Sequence, residues 1–184
     1  MRLIRRIAMR LPDTVRFEFR GVFTTVDEKL FREIFLNQPN VAYVGEFAHP
    51  QDLRTIYGGV DFAWAIDLEN RAHNSRWLLP NRFYESGLCA VPCLAVAGFE
   101  LGTVIDELQI GWTFVEPLEE SLFAFFQGLT PRAYEARRRR IAAVPESRFI
   151  ADEDASLLCT LLKAAAGAGG ALASAADGLS TAAE

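Results

Sequence analysis

"VPCLAVAGFELGTVIDELQIGWTF", residues 91–114, decides the class of the fold. Its first third, "PCLAVA", is a short apolar run bounded by proline and glycine, the mark of a buried strand. "ELGTVIDEL" places apolar residues at helical spacing, and "GWTFV" returns to β-rich residues after a glycine. Two strands joined by a helix rather than a tight turn imply a parallel pair with a crossover. The same alternation extends outward. "VRFEF" (15–19) reads as a strand and "VDEKLFREIFLNQ" (26–38) as a helix with Leu30, Ile34 and Phe35 on one face. "NVAYVG" (40–45) is a strand, "HPQDLRTIYGGV" (49–60) a helix opened by Pro50, and "DFAWAI" (61–66) a strand. "PNRFYESGLCA" (80–90) is a short helix with proline at its start. The spacing therefore predicts an α/β domain: a Rossmann-like, doubly wound, mostly parallel sheet of about five strands with helices on both faces.

Composition agrees with one domain. The chain has 184 residues, 51% hydrophobic and 23% charged, enough to bury a substantial core. Its net charge of −5 argues against nucleic acid as a partner, because phosphate backbones select concentrated positive surface. The expected organisation is a domain over 1–166 and a frayed or disordered Ala/Gly-rich tail over 167–184, where glycines 167, 169 and 170 each cost a helix about 1 kcal/mol against alanine. At the other end, "MRLIRRIAMRLPDT" is rich in arginine, but Leu3, Ile4, Ile7, Ala8 and Leu11 follow helical spacing up to Pro12. That pattern suits a docked helix better than a targeting peptide. With no apolar run approaching the roughly 20 residues of a span, the expectation is a cytoplasmic protein with at most peripheral membrane contact. Cys89, Cys93 and Cys159 read as free thiols, and Pro92 between the first two speaks against a shared metal site.

Ligands of such a sheet gather outside the carboxyl ends of the strands. The loop "DLENRAHNSRWLL" (67–79) is long and polar and runs into the helix that begins at Pro80. A helix start offers unpaired N–H donors and partial positive charge, a seat for phosphate, and Arg82 in the first turn adds a guanidinium fork. Glu85, one turn on, can accept two hydrogen bonds from a ribose diol, each worth about 1.5–3 kcal/mol. The competing reading is an exposed ion pair between the two, worth about 0.2–0.5 kcal/mol.

"LPNRFYESGLCAVPCLAVAGFELGTVIDELQIGWTF" resembles the C-terminal, donor-binding half of GT-B glycosyltransferases, the retaining kind that use nucleotide-diphosphate sugars. In that family a proline, a basic residue two later and a glutamate three after that open a helix which ends in a small residue and proline before a strand. Pro80, Arg82, Glu85, Ala90 and Pro92 occupy those positions. "PNVAYVGEFAHPQDLRTIYGGVDFAWAI" and "GFELGTVIDELQIGWTFVEP" resemble the elements on either side, so that the similarity covers roughly residues 15–162. The resemblance implies that Glu85 binds the ribose hydroxyls and that Arg82 lies near the diphosphate. It also implies transfer of a hexosyl group to a saccharide or lipid-linked acceptor, without a metal or other cofactor. Arg82 and Arg76 are then the groups that stabilise the leaving diphosphate, with Asn81, Ser75 and Asn74 as further donor contacts.

The sequence departs from the family at several points. The acidic residue often found eight before the ribose glutamate is Trp77 here, which leaves the sugar contacts to Asp67, Glu69 or the run His73, Asn74, Ser75 and Arg76. Ala90 stands for the usual glycine. A GT-B enzyme works in the cleft between two Rossmann-like domains, whereas one is visible, and the chain opens in what looks like the helix after the family's first strand. Three readings stay open: a fragment, an enzyme whose acceptor half comes from a partner or homo-oligomer, or a non-catalytic nucleotide-binding or protein-interaction module. "RRRR" (137–140) reads as a solvated face of a mixed-charge helix, while Trp64, Leu122, Phe125 and Phe126 read as core and Trp112 as packing at the sheet edge.

Overall fold

Five strands and seven α-helices alternate along the described residues. The computed structural model describes residues 1–23, 25–35, 37–68 and 74–150, together with 159, 160, 162 and 163. The tail anticipated over 167–184 and the residues Glu69 and His73 lie outside the described residues. Contacts divide the chain into two units, Met1–Val144 and Pro145–Glu184. The second contributes a 3-10 turn at Glu146–Arg148. All that follows concerns the first.

Helix α1 (Arg2–Arg10) buries Ile4, Ile7 and Ala8 on one face. Strand β1 (Phe17–Arg20), helix α2 (Thr25–Ile34) and strand β2 (Val41–Gly45) form a unit in which the two strands pair in parallel, Phe17 opposite Val41. Helix α3 (Leu53–Gly58) leads to β3 (Ala63–Trp64), and α4 (Asn81–Leu88) to β4 (Cys93–Val96). Helix α5 (Glu100–Leu108) connects to β5 (Gly111–Phe114). β3, β4 and β5 form a parallel sheet in that order, with Ala63 beside Cys93 and Cys93 beside Gly111. The anticipated mixed α/β architecture with parallel strands is present, divided into a two-stranded and a three-stranded sheet.

The quoted β–α–β stretch is held by close backbone approach. A Cβ on Gly102 would collide with the carbonyl oxygen of Val96, and one on Gly111 with that of Cys93, so both positions need glycine. Ile105 is fully buried on the same helix, and Gln109 closes it in the left-handed region, φ 57°.

Two apolar clusters are formed among the described residues. One gathers Ile7, Leu11, Ile66, Leu94, Phe114, Leu118 and Leu122; the other centres on Ile4, Phe31 and Phe35. Phe31 on α2 and Phe35 just past its end are buried, and Ile34 packs against the same cluster, while Leu30 is exposed, so that Phe31 takes the place anticipated for Leu30. Aromatic rings from β1 select that face, since Phe19 meets Phe31 at 5.1 Å and Phe35 at 5.4 Å. Helix α3 starts at Leu53 rather than Pro50, because the Asp52 carboxylate accepts a hydrogen bond from the Ala48 amide and holds the preceding residues in a turn.

Leu122, on α6 (Leu118–Gly128), is fully buried, and Phe125 and Phe126 pack at the cluster's margin. Trp112 meets Phe62 and Phe125 on the outer strand β5. Helix α7 (Pro131–Ala142) is capped by the Thr130 hydroxyl, which accepts from the Ala133 amide, and buries Ile141. Its arginines are largely solvated: Arg137 donates to Gln109 and lies over Trp112, while Arg139 and Arg140 are exposed. Among the described residues, no helix is long and apolar enough to cross a membrane.

Candidate functional site

Of the sequence-derived site residues, Arg82 and Ser75 lie at the carboxyl ends of β3 and β4. Pro80 precedes α4 in extended conformation, φ −74° and ψ 153°, and no side chain caps the helix. Its first-turn amides at Asn81 and Arg82 are thus left for solvent or a ligand. α4 is anchored below by Phe83 and Ser86, both buried, with the Ser86 hydroxyl 3.1 Å from the Cys93 sulfur. That anchorage turns Arg82 outward at the sheet edge, where it is exposed and its Nη1 donates to the Trp64 carbonyl at 2.6 Å.

Glu85 lies one turn further, with its side chain 17% exposed. Its Oε2 accepts from the Tyr57 hydroxyl at 2.9 Å, and its Oε1 is 3.3 Å from His49 Nε2. A carboxylate has about four acceptor positions, so these two partners occupy half of them. Burial first, and the neighbouring carboxylate second, push the Tyr57 phenol well above its ordinary range, which keeps it a hydrogen-bond donor. Nothing in the local pattern points to His49 or Tyr57: they reach Glu85 from separations of 36 and 28 residues.

Beside Arg82 a second pair forms. Ser75 Oγ donates to Asp67 Oδ2 at 2.7 Å, and both line a cavity of about 40 Å³ with Ala65, Leu78, Pro80, Val96, Phe99 and Leu101. Ala65 and Val96 place it at the carboxyl edge of β3 and β4, as expected for a doubly wound sheet. At this volume it holds roughly one or two waters. Asn74, Ser75 and Arg76 form a 3-10 turn leading to it, with Arg76 exposed and Trp77 64% exposed.

The structure thus brings Arg82, Glu85 and Asn81 together on α4, and Ser75 beside Asp67. Burial raises the thiols of Cys89 and Cys93, the latter to about 11, so neither is an activated nucleophile.

No family model matches this chain. It is 34% identical over 141 residues to the succinoglycan biosynthesis protein ExoL of Rhizobium meliloti (strain 1021), an overlap that takes in 74% of this chain and 34% of that protein. The chain therefore spans about a third of the length of that curated relative.

Proposed function

We propose that this chain carries the donor-binding half of a GT-B glycosyltransferase in polysaccharide biosynthesis. It binds a nucleotide-diphosphate sugar and, with an acceptor domain, transfers a hexosyl group to a saccharide or lipid-linked acceptor. The observation that carries this reading is the start of α4: uncapped amides at the carboxyl edge of the sheet, an exposed Arg82 in the first turn and a carboxylate one turn later. Positive groups placed there offset the charge that develops on a leaving diphosphate. Glu85 offers its remaining acceptor positions to the ribose hydroxyls, and in this reading Asn81, Ser75, Asn74 and Arg76 supply further contacts to the donor. The likeness to a succinoglycan biosynthesis protein supports the polymer as product class. No metal is invoked.

A second reading is favoured by the Glu85 contacts themselves. With Tyr57 and His49 on its two oxygens, Glu85 ties α4 to α3 and to the loop after β2, as a structural carboxylate would. The chain would then be a non-catalytic module.

Calorimetric titration with UDP- and GDP-sugars separates the two. The donor-binding reading expects saturable binding, weakened about 10- to 100-fold in Glu85→Gln, which keeps an acceptor for Tyr57. Absence of binding by every nucleotide sugar, or equal affinity in the variant, favours the structural reading.

A further inference from the structure

The three tryptophans of the chain are used in two ways. Trp64 meets Phe17 edge to face, and Trp112 meets Phe62 and Phe125, so both rings are committed to packing. Trp77, by contrast, is 64% exposed, and its neighbour Leu78 is 48% exposed. Among the described residues no ring or guanidinium stacks on Trp77. Two adjoining large apolar side chains at the surface call for a ligand more than a single scattered one does.

The backbone that carries Trp77 is fixed on both sides. Before it, Asn74–Arg76 form a 3-10 turn, which the Ser75 hydroxyl ties to Asp67 at 2.7 Å. After it, Pro80 is extended and its carbonyl accepts from the amide of Phe83, a buried residue of α4, at 2.9 Å. Ser75 and Leu78 both line the small cavity at the carboxyl edge of β3 and β4, so Trp77 stands between two residues of the cavity wall. A ring presented in this way orders little on binding, which favours weak, face-to-face contacts.

A flat apolar ring beside hydrogen-bonding groups fits one ligand chemistry best. A pyranose lays a face of C–H bonds on an indole, whose negative face attracts their weak positive charge, while its hydroxyls project from the edge of the sugar. The Ser75–Asp67 pair offers polar partners on the same stretch of wall. A purely apolar partner would cover Trp77 and Leu78 but give that pair nothing, whereas a sugar serves both. We infer that Trp77 is a stacking platform for the saccharide acceptor, with a terminal pyranose of the glycan lying on the indole. The acceptor role rests on the donor-binding reading above; the binding of saccharide does not.

Cello-, laminari-, gentio- and β-galacto-tetraoses are titrated without nucleotide into the full chain, and the indole N–H signals are followed by NMR. The Trp77 signal is identified by its loss in Trp77→Phe. It should shift saturably with at least one tetraose while the Trp64 and Trp112 signals stay in place. By calorimetry Trp77→Ala should weaken that binding about ten-fold or more, and Trp77→Phe, which keeps a ring, by about three-fold. Unmoved Trp64 and Trp112 signals in Trp77→Ala confirm that the variant is folded. The inference is overturned if no tetraose shifts the Trp77 signal, or if Trp77→Ala binds as tightly as the unaltered chain. Displacement of the glycan by UDP or GDP also overturns it, because the sugar then occupies the nucleotide site. So does a Trp77 signal that moves with protein concentration, which assigns the ring to a second copy. Because the titration contains no nucleotide, failure of the donor-binding reading appears in its own calorimetry and leaves this result intact.

Discussion

The two sheets are held together in different ways. In the three-stranded sheet Cys93, Leu94 and Ala95 are all buried, and glycines 102 and 111 let backbone lie on backbone. In the two-stranded sheet no strand residue is fully buried, and stability comes from rings: Phe19, Phe23, Phe31, Phe35 and Tyr43 form one aromatic group, with Phe23 stacked on Tyr43 at 4.4 Å. A sheet covered on both faces reads as a continuous apolar run, whereas one with open sides must recruit side chains from its helix. The difference also accounts for where the candidate site lies, since the packed side provides a fixed platform for α4.

The contrast can be broken most sharply at Gly102. Replacing it with valine forces the side chain into the Val96 carbonyl, and the expected loss is about 4 kcal/mol or more, seen as failure to fold or a collapsed urea midpoint. An unchanged midpoint would show that α5 can lift from β4 at little cost. Phe31→Ala acts on the other sheet by leaving a cavity among rings; about 3 kcal/mol should be lost, again by urea denaturation. A loss below about 1 kcal/mol would mean that the aromatic group repacks and contributes little.

A gentler probe is alkaline pH. Burial raises the Cys93 thiol to about 11, above its ordinary value of 9.0. Below pH 9 it is protonated in both folded and unfolded chains, so it adds no pH dependence there. Between about 9 and 11 the unfolded chain releases the proton and the folded chain keeps it, so stability falls by up to roughly 1.4 kcal/mol per pH unit. Tyr57, also raised, adds to the loss above pH 10. Thermal melts from pH 8 to 11 should show this decline, and Cys93→Ala should make it shallower between about 9 and 11 while leaving the Cys89 and Tyr57 contributions.

Much of the architecture was legible because parallel strands are short β-rich runs separated by helices: four of the five observed strands fall within a stretch that reads that way, and β1 runs one residue past its stretch, to Arg20. The face of α2 was read correctly at Ile34 and Phe35 but not at Leu30, because Leu30 and Phe31 offer overlapping apolar stripes and the rings of β1 choose Phe31. Arg82 and Glu85 were legible as a pair because their spacing is local to one helix. Tyr57 and His49 were not, since neither lies on α4 and the fold alone delivers them to Glu85.

The residues by themselves determined the order of strands and helices, the uncapped start of α4 and the charge placed on it, all consequences of local periodicity and backbone preference. Tertiary structure alone decided that the strands divide into two sheets, that Arg82 rests on the Trp64 carbonyl, and that Glu85 is shared with Tyr57 and His49. Those facts depend on hydrogen bonds between distant segments, which short-range pattern does not encode.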